Sequence, residues 1–372
     1  MKISILSMQR VNNFGSLLQS YALKTMLRKL GHQVSFLDIE PNQADNALLE
    51  GSVEDFSKEC DAGRGILTKL KKLDRYAINR LRIKWADRCQ KQKFQQFRRD
   101  VLEIADNTDE VRYDCCVIGS DEVFNCLSQT PWGFTGQLFG DVRQAGRVIT
   151  YAASCGGTTY KNLPQQAALR IREVFGNVAA FSVRDENTEA FVTAFTEKPV
   201  QTHLDPALVM DFGKEIQGCS LPVGLPKRYC LVYSYYNRIH SPGEIAQIQT
   251  FCKSHGLEPV TIGAPQMWIS RHFAVTPFEA LQVFAHAEFV ITDTFHGTVF
   301  SAKYAKGFAV MVRPSNANKL QDLLTRLQLK AHQVADFGQL DRVWDIKADT
   351  QRVQAVISSE YGRTMRYLAD SI

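Results

Sequence analysis

Residues 292–301 contain the most informative combination of side chains in the chain. His296 and Gly297 follow an apolar stretch typical of a buried strand and precede a stretch with the apolar spacing of a helix. We therefore expect both at a strand-to-helix turn, beside backbone N–H groups that lack partners. Ligands bind at the carboxyl ends of strands in an open α/β sheet, and a helix N-terminus attracts anions. The run predicts an anion site, although a capping or packing histidine fits it equally well.

Charged residues follow two other apolar, strand-like runs. Asp121 comes after Gly119 and Ser120, where its carboxylate could exchange a proton with a substrate hydroxyl. Capping of the following turn is the alternative, and the spacing slightly favours it. Arg184 ends the other run, and its guanidinium suits bidentate binding of a carboxylate or phosphate. A surface ion pair with a neighbouring acidic residue is the alternative for Arg184.

Two further motifs lie at predicted strand ends. Asn13 and Gly15 come directly after the first strand, and the helix that begins there directs backbone donors toward a cleft. An ordinary capped helix explains this motif equally well. Tyr151 and Ser154 belong to a strand end with small residues and a hydroxyl. The adjacent Cys155 has no histidine at a spacing that ties the two together, so a packing role is favoured over a nucleophile.

The elements that must position these residues alternate between strands and helices, which predicts parallel sheets covered by helices on both faces. The predicted strands are residues 3–7, 33–37, 115–119, 147–153, 180–183, 200–203, 229–233, 259–262, 289–292 and 308–312. The predicted helices are residues 15–30, 164–175, 186–195, 242–255, 277–285, 297–304, 319–327 and 350–369, with a basic helical insertion at about 62–102.

With 372 residues the chain exceeds what one hydrophobic core usually fills, so we expect two domains. Gly and Pro residues concentrated in 212–227 predict the linker. The expected division is an N-terminal α/β domain at 1–211, a C-terminal α/β domain at 228–345 and a last helix at 346–372 that crosses back to the first domain. The predicted fold class is therefore α/β, with two Rossmann-like domains facing a cleft that holds the active site.

Composition excludes several classes of protein. Apolar residues make up 45% and charged residues 22%, as in ordinary globular proteins. No run of about 18 apolar residues predicts a transmembrane helix, and the N-terminal apolar stretch is too short for a signal peptide. The nine cysteines are scattered without a CxxC pair, so neither a metal site nor a disulfide framework is expected. A cytoplasmic protein with reduced thiols fits these features best.

Basic residues are concentrated in one segment. Residues 64–99 hold thirteen Lys or Arg against two Asp, a local charge of +11, which leaves −6 for the remainder of a chain with net charge +5. Such a local excess does not predict nucleic-acid binding. An amphipathic basic helix can lie on an anionic membrane surface, which would give peripheral contact at the inner face of the membrane. A solvated helix face is the favoured alternative.

Six short motifs, in order, resemble those of the polysaccharide pyruvyl transferase family. The family's motifs are an Asn–aromatic–Gly stretch leading to Leu-Gln-x-Tyr-Ala-Leu, a Gly-Ser-Asp block, Tyr-Ala-x-Ser, Ser-Val-Arg, Leu-Asp-Pro and Phe-His-Gly. Their counterparts in this chain are residues 13–23, 119–125, 151–154, 182–185, 204–206 and 295–297. Each motif alone is weak, but six in order are specific.

The resemblance implies a fold like that of B-type glycosyltransferases and a ketal-forming transferase of bacterial exopolysaccharide or capsule biosynthesis. Such an enzyme moves the pyruvyl group of phosphoenolpyruvate onto two hydroxyls of a sugar in a surface-polysaccharide precursor, lipid-linked precursors included, and releases phosphate. Phosphoenolpyruvate is then the donor substrate, and no cofactor or metal is implied. Because this donor carries a carboxylate and a phosphate, the reaction requires anion clamps, an acid and a base.

The resemblance also suggests roles for individual residues, with the acceptor on the side of the first domain and the donor on the side of the second. The predicted catalytic residues are Asp121, acting on a sugar hydroxyl, and His296. The predicted donor site comprises Arg184, His296, Gly297, Thr294 and Arg313. The predicted acceptor side of the cleft comprises Asn13, Gly15, Ser120, Tyr151 and Ser154.

The chain departs from the family pattern at three positions. Many members carry Arg directly before Phe-His-Gly, where this chain has Thr294, and one expected anion clamp is thereby lost. Arg313, beyond the next strand, is the predicted substitute, although a surface charge is its ordinary role. The family's Gln and Trp in the Gly-Ser-Asp block are replaced by Glu122 and Phe124, so an aromatic surface remains without the indole donor.

Two alternative functions stay open. A B-type glycosyltransferase that uses a nucleotide sugar is disfavoured by the missing glycine-rich fingerprint and by the residues suited to anions. A catalytically silent glycan- or metabolite-binding homologue is suggested by Thr294.

Overall fold

The structure, a computed structural model, describes residues 1–49, 69–104, 111–128, 130–347 and 349–372, and for residues 69–81 the description is limited to the backbone. The predicted insertion at about 62–102 and the basic segment 64–99 therefore lie partly outside the described residues.

Two six-stranded sheets, one in each half of the chain, form the framework. The first has the order β2-β1-β3-β4-β5-β6, with β1 Lys2–Leu6, β2 Gln33–Leu37, β3 Cys115–Asp121, β4 Val148–Ala153, β5 Val178–Val183 and β6 Val200–Thr202. The second has the order β12-β11-β10-β7-β8-β9, with β7 Tyr229–Tyr233, β8 Glu258–Ile262, β9 Arg271–Phe273, β10 Phe289–Thr292, β11 Phe308–Met311 and β12 Gln333–Val334. Neighbouring strands are parallel in both sheets, which confirms the predicted α/β class with two Rossmann-like halves.

Helices pack on the sheets and bury their central strands. The helices are α1 Phe14–Lys29, α2 Gln43–Ala47, α3 Lys69–Phe97, α4 Gln165–Phe175, α5 Glu186–Thr193, α6 Pro206–Val209, α7 Gly213–Gln217, α8 Pro242–Ser254, α9 Pro277–His286, α10 Phe295–Tyr304, α11 Ala317–Arg326, α12 Leu340–Trp344 and α13 Thr350–Ser371. Every residue of β4 and of β10 is buried, as expected for parallel strands covered on both faces. None of the described helices combines the length and the apolar character that a membrane span needs.

The elements that the sequence does not predict are short. The strands β9 and β12 have three and two residues, and the helices α2, α6 and α12 have four or five. Hydrophobic periodicity cannot be recognised over so few residues. The segment predicted as the linker, residues 212–227, contains the one-turn helix α7.

The position of His296 differs from the prediction. It was expected in the turn before a helix starting at Gly297, but α10 begins at Phe295, so His296 lies inside its first turn. Thr294 is the N-cap, and its Oγ1 accepts a hydrogen bond from the backbone N–H of Gly297 at 3.0 Å. The threonine hydroxyl therefore fixes the start of the helix two residues earlier than the glycine suggested.

Two helices join the halves of the molecule. The C-terminal helix α13 packs on the first sheet, where Tyr367 Oη donates to the carbonyl of Thr150 at 2.8 Å. In the opposite direction, α3 belongs to the first half but contacts the second, and the amide of Gln90 makes two hydrogen bonds with the backbone of Val275, at 2.8 and 3.1 Å. Each half therefore contacts a helix that belongs to the other half in sequence. The limits of the two domains stay a prediction.

Candidate active site

The carboxyl ends of strands from both sheets meet at a cleft that contains two adjoining cavities. The cation-lined cavity, of about 320 Å³, is bordered among others by Ser16, Asp121, Glu122, Arg184, His296 and Lys319. The aromatic cavity, of about 300 Å³, is bordered among others by Asn13, Phe14, Asp87, Phe94, Tyr233, Tyr235, Tyr236 and His296. Both cavities draw residues from both halves, so the structure does not separate a donor half from an acceptor half.

Arg184, Asp205 and His296 form a buried charged cluster between the halves. Arg184 follows β5, and its Nη1 donates to Asp205 Oδ2 at 2.8 Å. His296 Nε2 lies 3.5 Å from the same oxygen. The other oxygen of Asp205 caps α6 by accepting from the N–H of Ala207 at 2.9 Å. One carboxylate therefore holds the predicted donor-binding arginine and the predicted catalytic histidine.

Electrostatics keep this cluster charged. Burial alone would raise the pKa of Asp205, but His296 and Arg184 hold it at about 2. Burial likewise opposes the charge on Arg184, yet Asp205 and Asp121 raise its pKa above the ordinary value. Asp205 and Arg184 are therefore both ionised at neutral pH.

The cluster has hydrogen-bond capacity left over. Within the described part of the chain, Arg184 Nε and His296 Nε2 are buried without a hydrogen-bond partner. The first N–H groups of α10, at Phe295 and His296, also have no intrahelical acceptor. Buried donors without acceptors are costly, and the helix N-terminus adds a favourable field for negative charge. The start of α10, where Phe295 and His296 border the cation-lined cavity, is therefore a favourable position for an anion.

Phe295 covers the guanidinium of Arg184 at the wall of the cation-lined cavity. The guanidinium of Arg184 lies beneath the Phe295 ring, 4.1 Å from its centroid. The side chain of Arg184 is consequently only 2% exposed, against 10% for His296. His296 therefore stands at the surface of the cavity, and Arg184 contributes its charge from directly below.

Asp121 ends β3 at the wall of the cation-lined cavity. Its Oδ2 accepts from Ser16 Oγ at 2.7 Å, and its Oδ1 accepts from the N–H of Glu122 at 3.0 Å. Arg184 Nη1 is 4.0 Å from Oδ1. The capping contact weighed from the sequence is therefore present together with a position facing the cavity.

A second ion pair crosses the cleft, between Glu122 and Lys319 of α11. Asn125 Nδ2 donates to the other carboxylate oxygen of Glu122 at 2.7 Å. Burial would raise the pKa of Glu122, but Lys319 holds it at about 2. Burial would lower the pKa of Lys319, yet Glu122 raises it. The residue that departs from the family's Gln is thus the partner of a lysine in the cavity.

The first motif of the chain contacts His296 directly. Asn13 is the N-cap of α1, and its Oδ1 accepts from the N–H of Gly15 at 2.7 Å. Gly15 lies so close to the imidazole of His296 that a Cβ at this position would overlap the ring. The neighbouring Phe14 packs in a similar way on Gly263, where a Cβ would come within 2.8 Å of the Phe14 ring. The motif therefore seals the contact between the two halves.

Three predicted acceptor-side residues lie beneath the cavities rather than at them. Ser120, Tyr151 and Ser154 are all completely buried. Ser120 Oγ donates to the amide oxygen of Gln19 at 2.9 Å, and Ser154 Oγ donates to Asp185 at 2.7 Å. Tyr151 Oη donates to the carbonyl of Leu204 at 3.2 Å and lies 3.0 Å from Thr364 Oγ1 of α13. These side chains support the strand ends that carry the site.

The predicted donor-binding residues of the second half are not all brought together. Arg313 donates to Asp293 at 2.7 Å and to Glu244 at 2.9 Å, and it is not among the residues that line either cavity. Thr294 caps α10 at the wall of the aromatic cavity. Gly297 leaves room for Tyr233, since a Cβ there would lie 2.6 Å from that ring.

Sequence reasoning missed two residues of the site. Asp205 lies in the Leu-Asp-Pro motif, where an acidic residue before proline at a strand end signals a helix N-cap, but no role followed from that signal. Lys319 lies in a predicted helix without any motif of its own. Among the described residues, no group of three or more His, Cys, Asp or Glu is placed to hold a metal ion.

Solved structures with a similar fold span the whole chain at low identity. The UDP-GlcNAc 2-epimerase of Methanocaldococcus jannaschii, in complex with UDP-GlcNAc and UDP, has a TM-score of 0.51 at 10% identity over 100% of both chains. The UDP-N-acetylglucosamine 2-epimerase of Rickettsia bellii has a TM-score of 0.49 at 10% identity, covering 99% of this chain and 96% of its own. A Streptomyces glycosyltransferase complexed with thymidine diphosphate has a TM-score of 0.44 at 12% identity, covering 100% and 99%. At these identities the likeness concerns the fold alone.

No curated protein sequence matches the chain. The family model for polysaccharide pyruvyl transferases, in contrast, matches residues 13–315. This match covers most of the chain, including the six motifs and the residues Asp121, Arg184, Asp205 and His296 that form the site. The chain therefore belongs to the polysaccharide pyruvyl transferase family, whose members are transferases acting on a saccharide.

Proposed function

We propose that the enzyme transfers the pyruvyl group of phosphoenolpyruvate to two hydroxyls of one sugar and releases phosphate. The observation that carries this proposal is the buried cluster of Arg184, Asp205 and His296, of which Arg184 and His296 border the cation-lined cavity. Lys319 adds a further positive charge to the same wall. Arg184 and Lys319 are the cations that this wall offers to a small donor with a carboxylate and a phosphate.

The reaction balances with one acid and one base. The methylene carbon of phosphoenolpyruvate takes up a proton, which makes C2 electrophilic. One sugar hydroxyl attacks C2 and loses its proton, the C2–O bond to phosphate breaks, and the phosphate leaves with the bonding electrons. The second hydroxyl then attacks C2, and its proton goes to solvent. The products are a cyclic ketal carrying a methyl group and a carboxylate, and inorganic phosphate.

In this scheme His296 delivers the proton to the methylene carbon, and Asp121 accepts a proton from the attacking hydroxyl. Both side chains border the cation-lined cavity. Asp205 Oδ2 lies 3.5 Å from His296 Nε2 and holds the imidazole in place, and Ser16 orients Asp121 through its hydrogen bond. Gly297 has no side chain, and its role is to let the first turn of α10 pack closely. Arg313 supports the same turn indirectly, through its hydrogen bond to Asp293.

The test is phosphate release from phosphoenolpyruvate by the purified full chain with a panel of glycosides, together with mass spectrometry of the glycoside. We expect a product that has gained pyruvate and lost water. Arg184→Ala and Asp121→Asn should abolish product formation. The matched control is Asp38→Asn, because Asp38 also follows a strand of the first sheet but pairs with Arg10 at 2.8 Å away from both cavities. Wild-type rates in the first two variants would contradict the proposal.

Thermal-stability measurements with each candidate ligand separate the alternatives. Thermal stabilisation by phosphoenolpyruvate but not by nucleotide sugars supports the pyruvyl donor, and the reverse supports a glycosyltransferase. Binding of phosphoenolpyruvate without turnover on any glycoside would indicate the catalytically silent homologue suggested by Thr294.

We also propose peripheral membrane contact through the basic segment 64–99. In its described part, Trp85 is 69% exposed and lies beside the exposed Lys84 and Arg88. An exposed indole among cations is typical of a helix at the surface of an anionic bilayer. The expected result is co-sedimentation with phosphatidylglycerol vesicles and not with phosphatidylcholine vesicles, weakened by Trp85→Ala. Equal sedimentation with both would contradict it.

A further inference from the structure

The aromatic cavity has no part in donor binding as proposed above, yet it adjoins the catalytic histidine. Five aromatic side chains border it. Phe14, Phe94 and Tyr233 are buried, whereas Tyr235 and Tyr236 are 44% and 58% exposed. A ligand in this cavity would therefore meet two tyrosine rings, each with an apolar face and a polar edge.

The aromatic cavity has fewer charged side chains than its neighbour. Its charged side chains are Asp87 and Lys91, which lie one turn apart on α3 and form an ion pair at 2.7 Å. The pair leaves the wall without net charge. Other polar groups there are uncharged, among them the amide of Asn13 and the hydroxyl of Ser234. The cavity is thus suited to a neutral ligand with hydroxyl groups rather than to an anion.

The wall formed by α3 is fixed in place. Gln90 holds the backbone of Val275 in the second half with two hydrogen bonds. Phe94 packs edge-on against Phe14, with ring centroids 5.0 Å apart. Asp87 lies one turn before this anchor, so its carboxylate is presented to the cavity by a rigid element.

The two cavities share three residues, Asn13, Tyr235 and His296. A ligand lying on the tyrosines therefore places one edge at His296, next to the proposed position of the donor. Arg238 lies over one face of Tyr235, at 5.3 Å from the ring centroid, which stiffens this platform.

We propose that the aromatic cavity binds a neutral pyranose, with the apolar face of the sugar ring on Tyr235 and Tyr236 and its hydroxyls on Asp87 and Asn13. The identification of this sugar as the acceptor rests on the proposed function. The binding of a pyranose does not, because it follows from the wall of this cavity alone.

Binding can be tested without catalysis by saturation-transfer NMR on the full chain. The probes are the methyl pyranosides of glucose, galactose and mannose, with methyl glucuronide as the charged comparison. We expect transfer to at least one neutral glycoside, and loss of that transfer in Tyr235→Ala/Tyr236→Ala. Tyr160→Ala is the matched control, since Tyr160 is 46% exposed and lies at neither cavity.

Three results would overturn the proposal: no transfer to any neutral pyranoside, transfer to the glucuronide alone, or unchanged transfer in the double variant. The variant Tyr235→Phe/Tyr236→Phe is the conservative comparison for the alanine variant. It keeps both ring faces, so it should fold and retain binding.

Kinetics then assign the sugar to the reaction. Asp87→Asn and Tyr236→Ala should raise the KM for the glycoside about tenfold, which corresponds to one lost polar or stacking contact. The KM for phosphoenolpyruvate should stay within about twofold of wild type, because neither residue borders the cation-lined cavity proposed for the donor. An equal rise in both constants would overturn the acceptor assignment. Tyrosine-dependent sugar binding without any phosphate release would instead reject the proposed function and leave the pyranose site standing.

Discussion

Gly15 lies against the imidazole ring of His296, across the cleft between the two halves of the molecule. A Cβ at position 15 would overlap the Cγ and Nδ1 atoms of the ring. Because Gly15 is in the first turn of α1, most other residues would be acceptable to the helix itself. The missing side chain is therefore required by His296. A motif of the first half thus determines where a catalytic side chain of the second half can lie.

Substitution of Gly15 by alanine should displace His296 and lower kcat by about 10- to 100-fold, as expected when a proton donor moves by roughly 1 Å. The measurement is phosphate release at saturating phosphoenolpyruvate. Gly362→Ala is the control, because Gly362 also lies in a helix but has nothing within 4 Å of a Cβ. It should keep full activity and gain up to about 1 kcal/mol of stability. Equal activity in the two variants would show that the contact has no catalytic consequence.

The pair of Arg184 and Asp205 gives a second prediction, on stability. Asp205→Asn leaves the guanidinium of Arg184 buried without its main countercharge, which should cost about 3 to 5 kcal/mol in free energy of unfolding. Urea denaturation at pH 7 measures this loss. Asp211→Asn is the control, since Asp211 is exposed and caps a single N–H of Gly213 at 2.9 Å. Its cost should stay at or below about 1 kcal/mol.

Replacing both partners separates stability from function. In Arg184→Met/Asp205→Leu the fully buried ion pair is removed as a whole, so much of the lost stability should return. Ketal formation should not return, because His296 has lost its carboxylate and the donor has lost a cation. A double variant that is both stable and active would show that the cluster serves the fold alone.

Asp121 and Arg184 can be placed together from the sequence, because both end strands of the first sheet and parallel strands share one carboxyl edge. His296 follows a strand of the second sheet, and the facing of the two halves brings it to them. The sequence also predicts both sheets, whose long central strands are continuous apolar runs. What it cannot predict is the choice of partner across the cleft. Asp205 was adjacent to a recognised motif, but only packing of the two halves brings it to His296.

Arg313 and Lys319 also show that ion-pair partners cannot be predicted from the sequence. Arg313 was preferred as the substitute cation because it directly follows a strand, yet Asp293 and Glu244 hold it. Lys319 had no signal in sequence because its position depends on Glu122, almost two hundred residues earlier in the chain. Long-range ion pairs of this kind depend on tertiary geometry and not on local spacing.

Lys319 provides a third prediction, on donor affinity. Lys319→Met removes a cation from the cavity and leaves Glu122 without its partner, so the KM for phosphoenolpyruvate should rise about tenfold or more. Lys319→Met/Glu122→Met should recover part of the stability and none of the affinity. Lys306→Met serves as control, because Lys306 pairs with Glu288 at 2.7 Å on the surface and is 55% exposed. An unchanged KM in Lys319→Met would place the donor elsewhere.

The last prediction concerns Lys303, which joins α10 to α6. Its ammonium donates to the carbonyls of Ala207 and Met210, and burial lowers its pKa from 10.5 to about 7 despite the nearby Asp211. Between those values the unfolded chain holds a proton that the folded chain lacks, so the free energy of unfolding should rise with pH, by up to about 1.4 kcal/mol per pH unit. Urea midpoints of wild type and Lys303→Met between pH 7 and 9 should therefore diverge, with the steeper rise in wild type. Lys198→Met controls for the lost hydrogen bonds, since the exposed Lys198 also donates to two carbonyls. Parallel curves for wild type and Lys303→Met would show that Lys303 keeps its proton in the folded chain.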